Sequence, residues 1–160
     1  MKWNKHWLLP INLVIILGLY NYSICSKEKL LATGKSVYLQ LAPVDPRSMM
    51  QGDYMRLSFA IVDSIQKDSL PKRGFCVVKT NSQGLVIAAR WQPNSTPIQA
   101  DEQLIRYTTN FSGIQLGAES YFFQEGKAAN YASARYGLVK VDPTGNTLLV
   151  GLCDSSLRRL

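Results

Sequence analysis

Residues 39–59 read LQLAPVDPRSMMQGDYMRLSF, and the way this stretch is laid out decides the fold. One alternating run enters it, a knot of turn-formers interrupts it, and a second alternating run leaves it. Upstream, residues 36–41 (SVYLQL) alternate and are rich in strand-formers, until Pro43 and Pro46 stop them. Asp45-Pro46 is a turn-initiating pair, and Gly52-Asp53 makes a second turn. Residues 54–62 (YMRLSFAIV) then read as one long strand. Met55, Leu57, Phe59 and Ile61 point one way and are wholly apolar, so that side faces the core.

Further strands follow. Residues 63–73 are polar, contain Pro71 and read as a loop. Residues 75–80 (FCVVKT) and 85–91 (LVIAARW) flank Asn81-Ser82-Gln83-Gly84, a four-residue hairpin turn. Residues 92–97 break regularity, and 104–109 (LIRYTT) predict another strand. Residues 128–136, rich in alanine, predict one or two helical turns. A final hairpin pairs residues 137–141 with 147–152 across Asp142-Pro143-Thr144-Gly145-Asn146. Strand-like runs spaced near ten residues apart predict a mainly β, β-rich α+β class: a compact antiparallel β domain with little helix.

The amino-terminal part differs. Residues 7–24 (WLLPINLVIILGLYNYSI) carry no charge, and as a helix they extend about 27 Å, enough for a bilayer core. Pro10 falls in the first turn, where a helix tolerates it. Trp7, Tyr20 and Tyr22 bracket the run like interfacial aromatics. An uncleaved transmembrane anchor is the favoured reading; a cleaved signal peptide, with Ser23 and Cys25 as the small residues before the cut, is the alternative. The expected organisation is a tail at 1–6, an anchor at 7–25, a linker at 26–35 and a β-rich domain at 36–160. Lys2 and Lys5 precede the apolar run while Lys27, Lys29 and Lys35 follow it, so flanking charge does not set orientation.

Composition excludes more chemistry than it suggests. The net charge of +7 is scattered, with no basic stripe interleaved with aromatics, so nucleic acid is not an expected partner. The sole histidine, His6, precedes the apolar run. A globule without histidine has no Ser-His-Asp or Cys-His machinery and no imidazole zinc site. Cys25, Cys76 and Cys153 match no metal spacing. Cys76 and Cys153 either pair or serve as small buried apolar residues. No metal or cofactor is implied.

Candidate sites cluster in the knot. Asp45, Arg47, Asp53 and Tyr54 form either a polar binding cluster or the internal bonding of two turns. A catalytic carboxylate pair of Asp45 or Asp53 with Glu125 has no sequence feature to join it. Ser48-Met49, Gly52-Asp53 and the strand after them resemble the order in the Ser-Lys peptidases of the repressor and signal-peptidase superfamily, in which a lysine activates the serine. Ser48 is only four residues before Gly52, closer than in that superfamily. The strand that should carry the lysine instead carries Arg90, which does not act as a base; Lys79 is the substitute. A degenerate or active Ser48–Lys79 hydrolase is therefore the alternative function.

Gly52-Asp53-Tyr54-Met55-Arg56-Leu57-Ser58-Phe59 resembles the Gly-Asp-Tyr-x-x-Leu-x-Tyr signature of the GDYXXLXY family of bacterial membrane-anchored proteins. The preceding 41–48 (LAPVDPRS), the later 119–126 (ESYFFQEG), Ala134-Arg135-Tyr136-Gly137 and the final hairpin are also similar to that family. Phe59 stands in place of the signature's last tyrosine. The resemblance implies one anchor in the cytoplasmic membrane, a globule on the periplasmic or extracytoplasmic side, and an integral membrane protein as partner; it implies no activity. Within 119–126, Tyr121, Phe122 and Phe123 in a strand put at least one aromatic on each face. With Glu125 they are a candidate docking patch, unless both faces are covered.

Overall fold

The computed structural model describes residues 7–42, 54–63, 70–111, 113–124 and 126–160. Helix α1 (Leu8–Thr33) is apolar on every side through its first turns and carries Pro10 where no intrahelical N–H is needed. It is long and apolar enough to cross a membrane. It does not stop at Cys25. Ser26–Thr33 (SKEKLLAT), expected as linker, forms the last two turns, because lysine, glutamate, leucine and alanine favour helix and no glycine intervenes before Gly34. The Gly34 N–H caps the helix on the Leu30 carbonyl at 2.9 Å, Leu30 is buried, and Lys140 Nζ donates to the Gly34 carbonyl at 3.0 Å.

Strand β1 (Lys35–Gln40) begins one residue after the helix. It pairs with β8 (Tyr136–Val141), which pairs with β9 (Thr147–Cys153), giving an antiparallel three-stranded sheet. A second antiparallel sheet has the order β4 (Val86–Gln92), β3 (Arg73–Thr80), β5 (Glu102–Asn110), β6 (Gly113–Gln115). Val37, Leu39, Val139 and Leu152 from the first sheet share one core with Cys76, Val78, Ile105 and Tyr107 from the second, each essentially inaccessible. Burying one such aliphatic side chain contributes about 1.5–3 kcal/mol. The sheets are joined where Tyr38 N–H donates to Gly84 O at 2.9 Å and Arg106 N–H donates to Gly145 O at 2.8 Å.

Both expected hairpins form. Asn81 Oδ1 accepts from the N–H groups of Gln83 and Leu85 at 3.0 and 2.9 Å, while Gly84 takes φ +82°, which suits glycine. In the other turn, Asp142 Oδ1 accepts from the Thr144 N–H, the Thr144 hydroxyl and the Asn146 N–H, and Oδ2 from the Asn146 amide. Burial opposes ionisation of Asp142, but the bonds from Thr144 and Asn146 outweigh it and hold the carboxyl below its ordinary range.

The strand expected over residues 54–62 is divided. Only Tyr54–Arg56 (β2) is strand, paired with β7 (Ser120–Phe122). Met55, Leu57 and Phe59 are buried, in keeping with the alternation. Ala60–Asp63 then form a single helical turn, α2, which the Val62 N–H closes on Phe59 O at 2.9 Å. Val62 thereby joins Phe59 in the core by a three-residue step instead of a two-residue one. A short 3-10 helix covers Ala128–Tyr131.

Tyr107 is 1% exposed, its ring edge-on to Trp91 at 5.0 Å. Its hydroxyl is buried with no hydrogen-bond partner among the described residues. An unsatisfied buried hydroxyl costs stability. Tyr107→Phe is therefore expected to be neutral or to raise the unfolding free energy by up to about 1 kcal/mol in urea titration; a loss above that would show that the hydroxyl is bonded.

Candidate functional site

Within the two sequence blocks 52–59 and 119–126, residues 54–57 and 119–122 meet in space. In the β2–β7 ribbon, Tyr54 faces Phe122, Met55 faces Tyr121 and Arg56 faces Ser120. The Leu57 N–H extends the pairing to Glu119 O at 2.7 Å. The Glu119 carboxylate turns back to accept from the N–H groups of Leu116 and Gly117, fixing the approach to β7. Alternation along the strand separates the aromatics. Tyr121 and Phe123 pack on Tyr131, with ring centroids 5.2 and 5.4 Å away, and Phe122 is 73% exposed on the other face. Arg56 and Ser120 are exposed on that outer side as well. One face of the ribbon is thus core and the other is surface.

Asp45, Arg47, Ser48, Asp53 and Glu125 lie outside the described residues, so the knot's polar cluster and the carboxylate pair are not placed; of Tyr54 only the backbone in β2 is described. Lys79 is described. Its Nζ lies 2.7 Å from Asp101 Oδ2, and both side chains are about half exposed. The hydrogen bond to Asp101, reinforced by its charge, holds the Lys79 amine above its ordinary range, and the same bond holds the Asp101 carboxyl below. A lysine acting as general base needs the opposite shift. Beside it, Arg90 forks onto Glu102, Nε to Oε1 at 3.2 Å and Nη2 to Oε2 at 2.7 Å, with Nη1 on the Gln92 side chain. These ion pairs tie β3 to the residue just before β5, and β4 to the first residue of β5.

Cys76 and Cys153 are free and buried. Burial pushes the Cys76 thiol up to about 12 and raises that of Cys153. Both are apolar packing units, not nucleophiles. Among the described residues no three of His, Cys, Asp and Glu are grouped to hold a metal ion.

A surface that the sequence did not signal lies on β4. This strand is the outermost of its sheet; just before it, Leu85 bridges to Tyr38 of β1. Ile87, Ala88 and Ala89 are all exposed, Ile87 by 59%. Successive strand residues point to opposite faces, so three in a row leave both faces open. The run LVIAARW looks like a buried strand because an apolar edge and an apolar centre are written alike; only the missing neighbour distinguishes them.

No curated protein and no solved structure matches the chain. A family model described as GDYXXLXY protein matches residues 16–152, most of the chain.

Proposed function

The chain belongs to the GDYXXLXY family, and we propose that it is a membrane-anchored accessory subunit that binds an integral membrane protein. In this reading α1 crosses the cytoplasmic membrane of a bacterium as an uncleaved anchor, the β domain lies on the extracytoplasmic side, and β4 receives an extended segment of the partner. The observation that carries it is the open apolar edge at Ile87–Ala89. An edge strand presents unpaired N–H and C=O groups that another chain can complete, and proteins that avoid this place lysine or proline there. Between Val86 and Ala89 there is neither. The continuity of α1 past Ser23 and Cys25 supports the anchor, since the candidate cut falls inside an unbroken helix. The layout implied by the family resemblance supports the orientation.

The test is capture of tagged full-length chain in mild detergent, followed by mass spectrometry. A multi-pass partner at near-stoichiometric yield is expected for the wild type and for Ser48→Ala. An Ile87→Lys/Ala89→Lys variant, with an unchanged melting temperature, is expected to lose about tenfold or more of it. Wild-type protein that runs alone, or equal capture by the charged-edge variant, would overturn the proposal.

A further inference from the structure

Two placements converge where α1 enters the domain. The β8–β9 turn lies against the helix, with Asp142, Pro143 and Thr144 sharing a cleft with Tyr22, Cys25 and Lys29. Tyr22 belongs to the charge-free run that ends at Ile24, so this turn sits at the depth where the span ends. Around the same junction, a groove of about 230 Å³ is lined by Lys27 from α1 and by Arg106, Thr108, Gln115, Gly145 and Asn146 from the β domain. Lys27 is three residues past Ile24, about 4–5 Å along the helix axis, which puts its ammonium group in the headgroup layer.

Among the described residues the groove is cationic without compensation. No carboxylate lines it, and neither Lys27 nor Arg106 has a salt bridge among the described residues. The nearby Asp142 carboxylate is occupied by its own turn. Arg106 is also held in place: its guanidinium stands over the Phe75 ring at 5.9 Å, and Nη2 donates to Thr144 O at 3.3 Å. A guanidinium held in place and an ammonium that line one groove together with the Thr108 hydroxyl and the Gln115 amide suit a phosphate monoanion.

We propose that Lys27 and Arg106 bind the headgroup phosphate of an anionic phospholipid in the groove between α1 and the β5–β6 edge. This rests on α1 spanning the membrane, as proposed above. A zwitterionic headgroup brings its own ammonium to the phosphate and competes with Lys27, so the site selects for net negative charge.

The probe is dioleoylphosphatidylglycerol against dioleoylphosphatidylcholine, added to full-length protein in detergent and read by native mass spectrometry and melting temperature. Phosphatidylglycerol is expected to remain bound and raise the melting temperature, and phosphatidylcholine is not. Lys27→Gln, which breaks no ion pair among the described residues, is expected to weaken phosphatidylglycerol retention about fivefold; Lys127→Gln, exposed beside the 3-10 helix, is expected to leave it unchanged. Arg106→Gln adds a second reading where it folds. Equal retention of the two lipids, or no loss in Lys27→Gln, overturns the site. Displacement of the lipid by excess inorganic phosphate reassigns the groove to a free anion and overturns the lipid. Alkaline carbonate extraction separates the two levels: a chain that leaves the membrane overturns the anchor and this site together, while a retained chain without lipid selectivity overturns the site alone.

Discussion

Phe59→Ala is expected to lower the unfolding free energy by about 3–5 kcal/mol, a large part of the 5–15 kcal/mol typical of a folded domain. Phe59 is 1% exposed and among the largest fully buried side chains. Its ring lies close over Gly137 of β8, where a Cβ would stand 3.1 Å from Cε1. The backbone around it is held from two directions: Leu41 bridges to Phe59, and the Val62 N–H bonds to the Phe59 carbonyl. A side chain missing from so restrained a site leaves a cavity that neighbours cannot collapse to fill. Urea unfolding of the full-length chain should show the midpoint falling with the slope unchanged. Arg56→Ala, three residues earlier and exposed, is expected within about 0.5 kcal/mol of wild type. A loss below about 1 kcal/mol at Phe59 would place its ring outside the core.

Gly74→Ala carries the second large effect, with a sign opposite to the usual one. Alanine for glycine in a strand ordinarily gains about 0.5–1 kcal/mol through the unfolded chain. At Gly74 a Cβ would lie 2.7 Å from Tyr107 Oη, 2.8 Å from Tyr107 Cε1 and 2.9 Å from the Gln92 carbonyl oxygen. Gly74 is paired directly with Tyr107 across β3 and β5, the Tyr107 ring is wedged against Trp91, and the Gln92 oxygen is backbone. None of these is the loose end of a flexible side chain, so the expected net cost is about 1–3 kcal/mol. Tyr107→Phe removes the nearest of the three contacts. The double variant Gly74→Ala/Tyr107→Phe should therefore be more stable than the sum of the single changes predicts, by about 0.5 kcal/mol or more. A neutral or stabilising Gly74→Ala would refute the overpacking account.

Most of the β architecture was legible because period-two patterns and turn chemistry are local. Met55, Leu57 and Phe59 alternate into the core as expected, the alternating run 36–41 buries Val37 and Leu39, and Asn81 and Asp142 bond their own turns. What was not legible depended on partners distant in the chain. Residues 54–62 continue an alternating pattern, yet Ala60–Asp63 coil because Val62 reaches the core a step sooner that way. Residues 26–33 look like a linker until Leu30 finds its place in the domain. β6 has three residues, too few for any period to register. For the site, the sequence showed that 52–59 and 119–126 belong together as a family pattern; that they pair as neighbouring strands is visible only in three dimensions. The open edge of β4 and the Lys27–Arg106 groove left no pattern, since each is defined by what lies beside it.

The junction at Gly34 makes the span and the sheet one mechanical part. A single residue separates the last helical turn from β1, Leu30 is seated in the globule and Lys140 grips the Gly34 carbonyl, so no free linker lies between helix and sheet. If α1 spans a membrane as proposed and rolls against a neighbour there, the torque passes through β1 to β8 and β9 as through a crank. On that proposal, the heading of the β4 edge is set by the side of α1 that faces the neighbour.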